Sequence, residues 1–197
     1  MTNTQIQNYC LSRGQEAIVY SLGILEPLML GHHTQDFLSV VGLPTEAAPF
    51  LSFSTNTHGE WNSISRVTKI DTAFNSSFAN LIQIGSDGSG NPIVIDTHEN
   101  DFIKLLDHDN GFALKFINSL IGIFATSLVA YATFIDNVIA QGGENAFFDT
   151  HFTDTQLVAL KNTLTSTDKY FDKSEFLQGE TVMLLGNREA HGNESGD

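Results

Sequence analysis

Between Phe116 and Ile135 the chain runs FINSLIGIFATSLVAYATFI without one charged side chain. A stretch of that length and composition either spans a bilayer or becomes the central helix of a folded core. The placement of its small and polar residues separates the two. Asn118, Gly122, Thr126, Ala130, Thr133 and Asn137 recur at helical spacing and form one stripe, with Ile117, Leu120, Phe124, Leu128 and Ile135 on the opposite side. The segment is therefore read as a core helix from about Phe116 to Val138. Its bulky side packs on a sheet, and its small-residue side turns toward a thinner cover or solvent. Gly142–Gly143 end it.

The chain before this helix is rich in strand signals. FLSFS (Phe50–Ser54) alternates apolar and polar residues, and WNSISRVTKI (Trp61–Ile70) does so in places. Ala79–Gly85, Pro92–Asp96 and Phe102–Leu106 are strands rich in Leu, Ile and Val. Upstream, Gln15–Leu22 is read as a short helix. QDFLSVV is read as another, with Thr34 as cap and Gly42 as stop. After the long helix, FTDTQLVALKNTL forms an amphipathic helix capped by Thr153 or Asp154. Asp168, Asp172 and Glu175 interleave with Lys169 and Lys173 as a solvated helix face, and GNREAHGNESGD is a loose polar tail. Consecutive strands with short links, then helices, predict an α+β fold: one domain with an antiparallel β-sheet flanked by helices. The expected divisions are a packed N-terminal segment (1–33), an α+β core (34–140), a C-terminal helical extension (141–185) and a flexible tail (186–197). At 197 residues, folding hides about 70% of the unfolded surface, so no disulfide or metal staple is required.

The glycine-rich stretch LIQIGSDGSGNPIVID (Leu81–Asp96) carries most of the functional argument. A phosphate-cradling loop leads from a strand into a helix, whose N-terminal amides face the phosphates. This loop leads from strand to strand, reads G-x-x-G-x-G, and lacks a following Lys-Ser or Lys-Thr. Asp87, Ser89 and Asn91 alternate as in a calcium loop, but Pro92 sits where the turn glycine belongs and His98 where the bidentate Glu belongs. What remains is a β-hairpin whose glycines permit positive φ at the turn.

Other chemistry fares no better. His58-Gly59-Glu60 has the spacing of a zinc deaminase, yet that site needs two more thiolates and Cys10 is the only cysteine. Asp107-His108-Asp109 with His98 reads as a solvated turn rather than a metal site, and His32-His33 as polar surface. Ser119 and Cys10 lack the pattern of an activated nucleophile, and Cys10 is read as a buried or inert thiol. No metal or cofactor is expected. Nine Lys and Arg face 23 Asp and Glu, a net charge of −14. Such a field repels nucleic acid and anionic membranes and attracts basic partners. The N-terminus MTNTQIQNYC has neither a basic nor an apolar signal region, so a cytoplasmic location is expected.

FLSVVGLP (Phe37–Pro44), the hairpin Leu81–Asp96, FIKLLDHD (Phe102–Asp109) and FINSLIGIF (Phe116–Phe124), in that order, resemble the SUKH superfamily of immunity proteins. The likeness is closest to its SUKH-4 branch and covers about residues 34–135. The hairpin is its most specific piece, and Leu120 departs from it where a second serine is expected. The resemblance implies an α+β fold and a non-catalytic role: binding and neutralising a toxin domain, often a nuclease or deaminase, within the cell that makes it. An acidic protein covers the basic groove of such a toxin. The expected contact residues are Asp87, Asp96, Glu99, Asp101, Asp107 and Asp109, gathered around the hairpin and the next strand. The alternative is a regulatory interaction module with a cellular partner. The oligomeric state is left open.

Overall fold

The structure is a computed structural model that describes residues 3–55, 63–70 and 74–194. The readings of His58-Gly59-Glu60 and Trp61 lie outside the described residues. Seven strands form one sheet with antiparallel ladders: β1 (Glu46–Ala47), β2 (Leu51–Phe53), β3 (Ser65–Arg66), β4 (Leu81–Ser86), β5 (Pro92–Asp96), β6 (Phe102–Asp107) and β7 (Ala113–Asn118). Their order is β1-β2-β4-β5-β6-β7. β3 lies alongside β2, pairing the first half of β4 while β2 pairs its end. The fold is α+β, an antiparallel sheet flanked by helices in a single domain, as the order of elements predicts.

The sheet forms because isoleucines recur at strand spacing. Ile82, Ile84, Ile93, Ile95, Ile103 and Ile117 face the main core and are fully buried. Val94, Leu81 and Leu106 face the other way, into a smaller cluster with Val67 and Phe74. Both faces of the central strands are thus covered, so they read as near-continuous apolar runs. Gly85 sits where β2 approaches β4. A side chain there would begin 2.3 Å from the Ser52 carbonyl oxygen, and the β4–β5 register shifts at the same place.

The hairpin is confirmed, but one carboxylate organises its turn. Asp87 accepts hydrogen bonds from the Ser89 amide (2.9 Å), the Asn91 amide (2.8 Å) and the Asn91 side chain (2.8 Å). Of the turn glycines only Gly90 takes positive φ, +85°.

The central helix α5 runs Ile121–Gly142, not from Phe116. Residues 113–118 form strand β7 instead, because cross-strand partners outweigh the helical period. Phe116 pairs with Lys104 and its ring meets Phe102 edge-on at 5.3 Å, and Lys115 pairs with Asp107 at 2.7 Å. Asn118 and Ile117 therefore leave the helical pattern, and Leu120 is exposed at the helix entrance. Phe124 and Leu128 are buried as expected, and burying one such side chain contributes about 2–3 kcal/mol. α5 is the one helix among the described residues long and apolar enough to cross a membrane, and it is the core helix.

At the N-terminus, α1 (Asn3–Ser12) buries Ile6 and Cys10, and burial pushes the Cys10 thiol up. The helix expected at Gln15–Leu22 is absent. Ile18 is extended and exchanges backbone hydrogen bonds with Leu43. A short α2 (Leu22–Leu25) leads to α3 (His32–Val40). Gly42 stops α3 at φ +79°, but Thr34 is not its cap; Gly31 is, and Thr34 is buried in the first turn. Residues 67–70 form the single turn α4.

The C-terminal region is not an appendage. Of the two cap candidates, Thr153 caps α6 (Asp154–Thr167), in a reciprocal pair with Gln156. α7 (Glu175–Glu194) continues as helix over residues 186–194 of the expected loose tail, where Arg188 donates to the Phe152 carbonyl and to Asp154. Leu157, Leu160, Leu164, Phe171, Leu177 and Leu184 belong to the same core as Ile82 and Phe124.

Candidate interaction site

The six acidic residues expected to form one patch are divided between opposite ends of the sheet. In the β4–β7 meander, successive turns alternate ends. Asp87, Asp107 and Asp109 therefore lie at one end, and Asp96, Glu99 and Asp101 at the other, separated by about 15–20 Å of strand.

Few of the six are available to a partner. Asp96 is 6% exposed and bonds the Lys104 ammonium at 2.8 Å; Lys104 also reaches the exposed Glu99 at 3.0 Å. Asp101 is 5% exposed and accepts from the Gly31 amide at 2.7 Å, fixing the approach to α3. These two carboxylates hold the fold and correct the expectation of contact residues. Asp87 is turned into its own hairpin, and the Lys115 ammonium holds the Asp107 carboxyl below the usual carboxylate range. Asp109 stands open, with His108 at its side. His108 points to Asn91 rather than His98, and among the described residues no three His, Cys, Asp or Glu gather as metal ligands.

The sheet end that carries Asp87 opens onto a groove of about 680 Å³ between α1, the β1–β2 turn, α5 and α7. Its walls are apolar: Ile135 and Ile139 from α5, Phe148 from the α5–α6 loop, Met183 from α7. Three large apolar side chains stand out at this groove: Phe50 (72% exposed), Phe148 (68%) and Met183 (46%). Phe50 follows the cis Ala48–Pro49 peptide and holds φ +56°, a left-handed conformation costly for a bulky residue. The hairpin tip packs against it, and a methyl group at Gly88 would lie 3.0 Å from its Cβ.

The groove holds one poorly compensated charge. Glu180, half-buried on α7, receives a single long hydrogen bond of 3.4 Å from the Tyr131 hydroxyl. Burial pushes its carboxyl up, and the negative charge of Asp87 adds to the shift. Burial likewise raises the Tyr131 phenol. Arg13, the basic residue among the groove's lining, already grips both oxygens of Asp136.

A second polar cluster lies under the helices. Asp168, in the α6–α7 link, is 1% exposed. It accepts from the Ser119 amide (2.8 Å), the Ser119 hydroxyl (3.0 Å), the Asn118 amide nitrogen (3.2 Å) and the Tyr170 amide (2.9 Å). The expectation that Asp168 lies on a solvated helix face is overturned, because the helix ends at Thr167 and the chain turns inward. Ser119 meets a carboxylate but no imidazole, so the pair ties β7 to the α6–α7 link rather than forming a nucleophile–base relay.

Sequence reasoning missed the groove. Its one local signal is the Phe147–Phe148 pair in a short inter-helix loop, where Phe147 packs on the core and Phe148 does not. Glu180 carries no local signal, since its neighbours Tyr131 and Asp87 come from α5 and the β4–β5 turn, far away in the chain. Comparisons with protein-family models, with curated proteins and with solved structures find no match for the chain.

Proposed function

We propose that this is a non-catalytic binding protein that engages a basic protein partner. The observation that carries the proposal is an apolar groove with exposed aromatic rims that holds the poorly compensated Glu180, on a molecule of net charge −14. Exposed aromatic and Met side chains anchor protein contacts, while the surrounding field steers a basic partner in. The SUKH-like order of motifs supports, as that partner, a cognate toxin domain of the nuclease or deaminase kind, held inactive in the cytoplasm by stoichiometric binding. The same charge disfavours nucleic acid and anionic membranes as targets. Toxin neutralisation requires Kd near the nanomolar range, about −12 kcal/mol, which field alone does not supply and buried anchors do.

The test is capture of partners by the immobilised protein at low and high salt, followed by a toxicity assay with the captured protein. One partner with a basic domain, released by salt and harmless to cells only when co-expressed with this chain, supports the reading. An abundant cellular complex in its place would shift the assignment to a regulatory interaction module, and no partner at either salt would overturn binding altogether.

A further inference from the structure

We infer that the groove docks a basic amphipathic segment of the partner, its apolar side chains seated against Phe50, Phe148 and Met183 and one Lys or Arg paired with Glu180. This inference rests on the partner-binding reading and names its contact. The groove's volume, about 680 Å³, matches sites that enclose several side chains and not a flat docking face. Its walls reward apolar groups, and the exposed Phe148 and Met183 leave solvent when a segment settles between them.

Charge selects the occupant. Glu180 has lost part of its hydration without gaining a cation among the described residues, and its one protein donor is 3.4 Å away. Asp87 adds negative potential from the hairpin tip, and Glu46 lines the edge-strand side. Arg13 is committed to Asp136 and does not neutralise them. An ammonium or guanidinium carried on an apolar stem answers both the desolvated carboxylate and the walls. A second copy of this chain would bring another −14 to the same place, and an acidic or purely apolar segment would leave Glu180 uncompensated.

The probe is a helical peptide, acetyl-(Leu-Lys-Lys-Leu-Leu-Lys-Leu)₂-amide, titrated into the full chain by calorimetry at physiological salt, with its Lys-to-Glu counterpart as control. The variants are Glu180→Gln, Phe148→Ser and Asp109→Asn, the last removing the same charge outside the groove. Glu180→Gln and Phe148→Ser are each expected to weaken binding about tenfold, with Asp109→Asn within twofold of the parent. Equal losses for Glu180→Gln and Asp109→Asn, or no loss for Glu180→Gln and Phe148→Ser, would overturn the groove assignment, as would failure of the peptide to bind. Self-association of the parent that Phe148→Ser abolishes would make a second copy the occupant and overturn it too. A natural partner captured equally by the parent and the groove variants would leave the binding reading standing and the groove assignment fallen.

Discussion

Asp168 and Glu180 lie a few turns apart in the C-terminal helical region, and their surroundings are opposite. Asp168 is sealed from solvent and receives four protein donors from three residues, Asn118, Ser119 and Tyr170. Glu180 is half-covered by apolar neighbours and receives one long bond. A buried carboxylate with all its lone pairs occupied fixes geometry. One left short of donors is a local cost to the free protein, and it gains from whatever cation arrives. The contrast separates the acidic residues that build this molecule from those that leave something to be bound.

Removing the satisfied group is the strongest way to test that division. Asp168→Ala strands the Ser119 amide and hydroxyl inside the core, leaves the Asn118 side chain with Ser127 alone, and should cost about 3–5 kcal/mol in urea unfolding. A loss below about 1 kcal/mol would mean that the hub is not structural. The Lys104–Asp96 pair extends the comparison to the other face of the sheet. Lys104→Met leaves a buried carboxylate without its cation and should cost about 3 kcal/mol, while the double change with Asp96→Asn should recover most of it.

Glu180 should respond with the opposite sign. Its carboxyl is raised above the unfolded value, so the folded state holds the proton more tightly. The resulting stabilisation is complete below the unfolded carboxylate range and is lost as pH rises through the folded-state value. At neutral pH the ionised group is a burden. Glu180→Gln should therefore raise Tm by about 1 °C at pH 7, and its advantage should vanish as the solution is acidified through the carboxylate range. A clear drop in Tm at neutral pH would place Glu180 with Asp168 and erase the distinction.

How far the sequence carried these features depends on how local they are. Isoleucines spaced by two predict β4 to β6 within a residue or two, and the cap residues Thr153 or Asp154 predict the start of α6, with Thr153 the cap. The start of α5 was misplaced because Phe116 and Ile117 fit a helical period as well as a strand. The partners that decide the matter, Phe102 and Asp107, come from a neighbouring strand. The acidic patch failed for a similar reason. Asp96 and Asp101 are adjacent to polar turns in the sequence, and nothing local announces that Lys104 and Gly31 will close over them. Asp87 was placed correctly in the hairpin, but its lone pairs serve the turn itself.

The Asp168 bridge also has a consequence in time. The carboxylate that completes the Ser119 junction is 49 residues downstream of it. During synthesis at about 5–20 residues per second, the whole β4–β7 meander precedes Asp168 out of the ribosome, and the end of β7 waits roughly 2–10 s for its partner. In that interval the Ser119 amide and hydroxyl lack their acceptor and the core helix is unroofed. The fold is closed from its C-terminal side, after most of its strands are already made.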